Sequence, residues 1–161
     1  MSVKTNQLTE LAIDDFTLIG IYSSYESYRL AFFLNELLNW HFERCEFDLD
    51  IQFDKICGKF PIFRSKFNEG SIDVYLIDNH ITVEAVEKMN GSLFDKDIAK
   101  FNTYTLLPEY KNLDYLIKIE DTQGRIFTDD IVKSINKTSF EMIATSIPNE
   151  QLKSKGHLII N

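Results

Sequence analysis

The stretch FTLIGIYSSYESYRLAFFLNELLNW, Phe16 to Trp40, decides the fold class because it joins a strand pattern directly to a helix pattern. Its first part, up to Tyr22, is an apolar run rich in residues that favour strands, and it predicts a buried strand. Ser23 and Glu26 then have the spacing of a capping box, in which each side chain satisfies a free backbone amide at a helix start. We therefore expect a helix that opens here and continues to about Trp40.

The predicted helix has one broad apolar side and one mixed side. With about 100° of rotation per residue, the apolar side is expected to pack on a sheet; it comprises Leu30, Ala31, Phe33, Leu34, Leu37, Leu38 and Trp40. The mixed side carries an aromatic stripe among charged residues, formed by Tyr25, Tyr28, Arg29, Phe32 and Glu36. Either another part of this chain covers the stripe, or it is an interface with a partner protein or a second copy, where Tyr, Phe and Arg are enriched.

The next segments read as antiparallel strands. FERCEFDLDI, residues 42–51, alternates between apolar and charged residues and predicts one strand with Cys45, Phe47, Leu49 and Ile51 on its buried face. KFPIFRSKF, residues 59–67, predicts its antiparallel neighbour, with Pro61 at an edge or bulge because proline cannot donate to the ladder. Arg64 and Lys66 are expected to face the acidic side of the first strand. The turn NEG then predicts a hairpin into SIDVYLID, residues 71–78.

The sequence patterns of residues 79–161 predict secondary structure with unequal clarity. Residues 79–100 have the weakest pattern, and we expect a short helix ending near Gly91. FNTYTLL and LDYLIKIED predict a second hairpin around PEYKN. The Thr128-Asp129-Asp130 cluster is typical of a helix start, and that helix should extend to about Asn136. SFEMIATSI predicts a last strand, and PNEQLKSK a last helix with Pro148 in its first turn.

This order of elements predicts one α+β domain spanning residues 1–161. We expect a largely antiparallel sheet with two or three helices packed mainly on one of its faces. Apolar residues make up 44% of the chain and charged residues 26%, which is the balance of an ordinary globular domain. A short lead-in helix is expected within residues 1–15, where three apolar residues have near-helical spacing.

Composition and charge exclude several classes of function. The formal net charge of -8 argues against nucleic-acid binding, which needs a basic face for phosphate contacts. The cluster LKSKGH near the C-terminus reads as a solvated helix end. No signal-peptide pattern opens the sequence and no apolar run is long enough to span a bilayer, so no membrane partner is expected. Two cysteines without a paired motif favour free thiols and a cytoplasmic location.

Motifs for common chemistry are missing from the sequence. It contains neither a nucleophile elbow nor a glycine-rich phosphate-binding loop. His41, Cys45 and Cys57 could be combined into a metal site, but zinc ligands usually come as close pairs and this set has none. We therefore expect no metal, no cofactor and no catalytic residues.

One polar motif stands out between two apolar runs, in TLLPEYKNLDYLIKIE, residues 105–120. Pro108 fixes its own φ and forces Leu107 to be extended, which ends the incoming strand. Glu109 lies in the turn, where carboxylates can accept from free backbone amides. Asp114 starts the outgoing strand, where aspartate is unfavourable unless its carboxylate has a hydrogen-bond or ion-pair partner. These positions predict a turn lock in which Tyr115 anchors the strand inward.

The same residues resemble the pattern that names the IPExxxVDY family of small bacterial proteins. Leu107-Pro108-Glu109 is followed, after three residues, by Leu113-Asp114-Tyr115, with Leu in place of the family's Ile and Val. The helix segment YRLAFFLNELL and the tail LKSKGHLII are also similar to that family, so the resemblance covers the whole chain. It implies a single cytoplasmic domain, and the family has no assigned activity.

Two functions compete at this point. The first is a non-enzymatic protein-binding or adaptor domain that acts through the Tyr25–Arg29–Phe32–Glu36 side of the first helix, with a protein partner or itself as a homodimer. The alternative is a small-molecule sensor or an enzyme with a pocket near the second hairpin, using Glu109, Asp114 and Tyr115. The aromatic stripe and the missing catalytic motifs favour the first.

Overall fold

The computed structural model describes residues 16–88, 97–121 and 123–161. Within these residues there are two α-helices, α1 (Ser27–Leu38) and α2 (Thr128–Lys137). The same residues form ten strands: β1 (Thr17–Ser23), β2 (Glu43–Arg44), β3 (Leu49–Gln52), β4 (Cys57–Phe60), β5 (Ile62–Phe67), β6 (Ile72–Asp78), β7 (His80–Lys88), β8 (Asp97–Thr105), β9 (Tyr115–Glu120) and β10 (Met142–Ile147).

Six of these strands form the main sheet, in the order β10-β1-β9-β6-β5-β2. Every neighbouring pair in it is antiparallel. Two smaller sheets, β3–β4 and β7–β8, are antiparallel ribbons of two strands each. The prediction of an α+β fold with a largely antiparallel sheet is confirmed.

The main sheet has a separate apolar cluster on each face. On one face, Ile19 and Ile21 of β1 pack with Leu30 and Leu34 of α1 and with Ile135 of α2, so both helices cover this side. The seven residues predicted for the apolar side of α1 all belong to this cluster or pack against it. Among the described residues, the other face is covered by β3–β4, by the segment that follows β8 and by the C-terminal residues, including Leu152 and Leu158, and not by an α-helix.

The strand predicted over residues 42–51 is interrupted. β2 pairs with β5 in the main sheet, whereas β3 pairs with β4, so the chain changes sheet between them. Arg44 holds this corner, because its guanidinium donates to the carbonyls of Cys45 and Ile62 and forms an ion pair with Asp48. Phe47 is therefore 46% exposed instead of buried.

The neighbouring strand bends as well, and its charges do not face the side that was predicted. Pro61 lies between β4 and β5, at the corresponding corner of the chain, as its missing donor leads one to expect. Arg64 is opposite Glu43 in register, yet its ion pair, at 2.8 Å, is with Asp73 on β6. The predicted cation–acid match between the two strands is wrong for Arg64.

The predicted second hairpin is wrong. β8 pairs with β7, and β9 lies between β1 and β6 in the main sheet. β7 also replaces the short helix expected in residues 79–100, and the predicted end of that helix at Gly91 is outside the described residues. One face of the β7–β8 ribbon is exposed, with Val86 61% and Phe101 66% accessible.

Four predictions about helices and their caps need correction or lie outside the described residues. Glu26, not Ser23, is the N-cap of α1, and the Ser23 hydroxyl instead donates to the carbonyl of Glu141. Phe127 precedes α2 without a side-chain cap. The predicted last helix is replaced by two 3-10 turns, Asn149–Gln151 and Lys155–Leu158. The predicted lead-in helix in residues 1–15 lies outside the described residues.

Two asparagine side chains act at the two edges of the main sheet. At one edge, Asn136 of α2 donates from Nδ2 to the carbonyl of Ala144 and accepts from its N–H through Oδ1. At the other, Asn35 of α1 makes the same pair of hydrogen bonds with Phe42, the residue before β2. Each helix is thereby tied by its side-chain amide to one edge of the sheet that it covers.

Candidate functional site

The polar motif of residues 107–115 folds around Asn79, which is completely buried. The Asn79 side chain accepts from the N–H of Leu107 and donates to the carbonyls of Tyr110 and Leu113. Its backbone donates to the carbonyl of Asp114 and accepts from the N–H of Leu106. Five hydrogen bonds therefore converge on one residue, and they satisfy most of the polar backbone of the turn that would otherwise be buried without partners.

The apolar residues of the motif complete the second cluster. Leu107 and Leu113 are 0% and 1% exposed, and both belong to the face without α-helices. Leu113 approaches β1 so closely that a Cβ on Gly20 would lie 2.3 Å from one of its methyl carbons. Any side chain at Gly20 would therefore force the Leu113 side chain to move from this position.

Glu109 fastens the C-terminal residues to the motif. Its carboxylate accepts from the backbone N–H groups of Lys153 and Ser154, each at 2.8 Å, and from the Ser154 hydroxyl at 3.0 Å. Partial burial raises the pKa of Glu109, but these hydrogen bonds to the ionised form outweigh it, so the pKa lies below the ordinary value of 4.5.

Asp114 and Tyr115 both hold the link between β1 and α1. The Asp114 carboxylate accepts from the N–H of Ser23 at 2.9 Å, at the end of β1. The Tyr115 hydroxyl donates to the carbonyl of Tyr25 at 2.5 Å, just before α1. The predicted lock placed the carboxylates on the turn of a hairpin, whereas in the structure they fasten the motif to the β1–α1 link and to the C-terminal residues. Tyr115 is buried, as predicted.

This arrangement bears on the predicted small-molecule pocket. A surface groove of about 700 Å³ lies beside Asp114, and its lining also includes Tyr22, Phe140 and Glu141. Neither Glu109 nor Tyr115 lines it. This groove therefore does not bring the three predicted pocket residues together.

The residues predicted as an interface lie on the outer side of α1. Tyr28 is 65% and Phe32 58% exposed, and Arg29 and Glu36 are also exposed. Tyr25 is half-buried, because its ring packs 4.8 Å from that of Phe33. Among the described residues, no other segment covers Tyr28 and Phe32, so the structure leaves most of the predicted stripe facing solvent.

Arg29 is held in place on this surface by aromatic rings. Its guanidinium carbon is 5.3 Å from the centre of the Tyr25 ring and 5.8 Å from that of Phe33. Phe32 in turn meets Phe33 edge to face, with 5.7 Å between the ring centres. A charged head and an exposed ring are thereby fixed side by side, and less conformational entropy is lost when such a surface binds a partner.

Sequence reasoning missed Asp78, the last residue of β6. Its Oδ1 is buried and has no hydrogen-bond partner. Burial raises its pKa to about 7, although the positive charge of Arg44 and a hydrogen bond from Ser27 favour the ionised form. The carboxyl also raises the pKa of Tyr115, its partner in register, where burial is the largest cause. An aspartate at the end of an apolar strand was the only signal in the sequence.

Two of the three residues considered for a metal site lie at one surface groove. His41 and Cys45 both line this groove, which has a volume of about 510 Å³, whereas Cys57 is exposed on β4. The His41 ring lies 3.1 Å from the Glu43 carboxylate. Burial raises the pKa of the Cys45 thiol, which Arg64 and Arg44 only partly offset. The described part of the chain contains no group of three or more His, Cys, Asp or Glu side chains placed to hold a metal ion.

Comparisons of the chain with protein-family models, with curated proteins and with solved structures find no match. Within the described residues, neither α1 nor α2 is long and apolar enough to cross a membrane.

Proposed function

We propose that this protein is a non-enzymatic protein-binding domain that docks a partner on the outer side of α1. The observation that carries the proposal is the pair Tyr28 and Phe32, two exposed aromatic rings one helical turn apart. Large aromatic side chains are costly to leave in water and dominate binding energy when a partner covers them. Arg29 and Glu36 border the rings with charge, as in a polar rim around an apolar centre.

The alternative of a small-molecule sensor or enzyme has less support. Glu109 holds the C-terminal residues, and Asp114 and Tyr115 hold the link between β1 and α1, so all three are already engaged in hydrogen bonds within the chain. A catalytic site needs such groups to converge on one space where a substrate can lie. We therefore place the function on the helix surface and not on the motif.

The remaining assignments belong to the same proposal. Membership of the IPExxxVDY family continues to rest on the sequence motif. Two free thiols, Cys45 and Cys57, support a location in the reducing cytoplasm.

A capture experiment with matched variants tests the docking surface. The tagged protein, Phe32→Glu and Phe101→Glu would each be exposed to native lysate, and retained proteins identified by mass spectrometry. Phe101 is the control because it is similarly exposed but lies on the β7–β8 ribbon, whose base packs on the sheet face opposite α1. A partner retained by the parent and by Phe101→Glu, and lost with Phe32→Glu, is the expected result.

Two outcomes would contradict the proposal. One is a partner retained equally by all three proteins, which would place docking elsewhere. The other is a parent protein that retains nothing and shows no self-association dependent on Phe32. Circular dichroism and melting temperature of each variant would establish that the substitutions leave the fold intact, as exposed positions should.

A further inference from the structure

The outer side of α1 carries opposite charges at its two ends. Arg29 precedes Phe32 by three residues and Glu36 follows it by four, and all three side chains are exposed. At about 100° per residue, Arg29 and Glu36 lie roughly 60° and 40° around the helix from Phe32, on the same flank. Read along the axis, this surface is positive, aromatic and then negative.

Such a pattern is complementary to itself when a second identical helix packs antiparallel to the first. A two-fold axis beside Phe32 reverses the direction of the helix but keeps the same flank facing the same flank. Arg29 of one chain then lies opposite Glu36 of the second copy, and the reverse pair forms at the other end. The two Phe32 rings meet between these pairs, where water is best excluded.

Resting on the proposed function, we propose that the partner docked on α1 is a second copy of this chain, bound as an antiparallel helix pair about Phe32. Charge order is the argument that selects this occupant, because one flank of α1 carries both the positive and the negative group that its own copy would need. In a parallel pair, Arg29 and Glu36 would instead face the other flank of the second copy, where Tyr28 and Asn39 carry no charge. Only the antiparallel arrangement satisfies both charges at once.

The neighbouring side chains fit this arrangement. The guanidinium of Arg29 is already supported by the Tyr25 and Phe33 rings, so it keeps its place before the second copy arrives. On the opposite flank, Tyr28 of one chain would lie near Asn39 of the second copy, where a phenol and an amide can form a hydrogen bond. Asn39 is exposed at the end of α1 and free to make this contact.

Exchanging the charges of Arg29 and Glu36 tests whether the partner is a second copy of the chain. Sedimentation velocity over a concentration series would be measured for the parent, Arg29→Glu, Glu36→Arg, the double variant and an equimolar mixture of the two single variants. The parent should dimerise, and each single variant should bind itself at least tenfold more weakly, because two like-charge pairs form. The double variant should recover the dimer, and so should the mixture, as a heterodimer of an acidic and a basic surface.

The outcomes separate this inference from the proposed function. A parent that stays monomeric at several hundred micromolar overturns the inference, and so do single variants that dimerise as tightly as the parent. If that monomer still captures another protein in a manner lost with Phe32→Glu, the proposed docking surface stands with a different partner. If Phe32→Glu changes neither self-association nor capture, both proposals are wrong.

Discussion

The side chain of Asn136 makes with Ala144 the two hydrogen bonds that a neighbouring strand would make. Its Nδ2 lies 2.9 Å from the Ala144 carbonyl oxygen, and its Oδ1 lies 2.8 Å from the Ala144 nitrogen. β10 is an edge strand of the main sheet, and edge strands with free backbone groups invite pairing with other chains. An amide placed here occupies part of that edge with the protein's own atoms.

Replacing Asn136 by Ala should therefore have two effects. The free energy of unfolding should fall by about 1 kcal/mol, because two hydrogen bonds at a partly exposed site are lost. The variant should also aggregate faster on storage, since the Ala144 backbone groups become free to pair with another strand. Chemical denaturation and time-resolved light scattering would measure the two effects.

Lys133→Ala provides the control, because Lys133 is exposed on the same helix and makes no bond to β10 among those described. It should change neither quantity beyond experimental error. Equal aggregation of the two variants would mean that Asn136 does not protect the edge.

Asn79 should be among the most sensitive positions in the protein. Asn79→Ala leaves the buried N–H of Leu107 and the carbonyl of Leu113 without this partner and removes one of two hydrogen bonds to the Tyr110 carbonyl, which should cost roughly 2–5 kcal/mol of unfolding free energy. Asn79→Asp should be worse still at pH 8, because an ionised oxygen would then face the carbonyls of Tyr110 and Leu113. Below pH 5 the aspartate should recover part of the loss, because its protonated oxygen can donate to one of them.

Urea denaturation at both pH values would measure this difference. His80, the next residue along, offers a control, since it is only half-buried and its ring contacts Thr105 at 3.0 Å. His80→Ala should cost less than either Asn79 variant. A similar cost for all three would show that the motif does not depend on the Asn79 amide.

The pH dependence of stability should carry a contribution from Asp78. Its pKa is about 7 in the folded protein and near 3.8 when unfolded, so the folded state holds a proton that the unfolded state has lost between these values. The contribution of Asp78 to the free energy of unfolding must therefore fall as the pH rises from about 4 to above 7. Asp78→Asn removes this proton exchange and should stabilise the protein at pH 8 by roughly 2–4 kcal/mol.

The measurement is the unfolding free energy of parent and Asp78→Asn at pH 5, 6, 7 and 8. The difference between the two proteins should grow with pH, because all other titrating groups are common to both. A difference that stays constant over this range would mean that Asp78 is already ionised at pH 5 in the folded protein.

The apolar repeat within a segment predicted individual strands and helices correctly where that repeat is clear. β1, β6, β9 and α1 have clear apolar repeats, and the outer side of α1 could be read from the same repeat. The pairing of strands could not be predicted from such a repeat. The hairpin between β8 and β9 was predicted only because the two strands are near in sequence. β9 instead enters the sheet beside β6, whose following residue, Asn79, ties the intervening turn in place.

The candidate site divides in the same way. Tyr28 and Phe32 were found because their position depends only on helix geometry. Asp78 was not found, because Ser27 of α1 and Arg44, the groups that act on its carboxyl, are distant from it in sequence. The role of Glu109 could not be predicted either. Its carboxylate binds the backbone N–H groups of Lys153 and Ser154, which every residue except proline has, and only one side chain, the Ser154 hydroxyl.

The convergence of five hydrogen bonds on Asn79 affects how any mutational screen of this protein should be read. Substitutions of the buried or hydrogen-bonded residues among 107–115 will lower the amount of folded protein, and a screen that scores only cellular phenotype will count them as functional hits. The α1 surface has the opposite character, because Phe32 can change without disturbing the core. Abundance measured beside phenotype would separate the two groups, and only variants with normal abundance would report on binding.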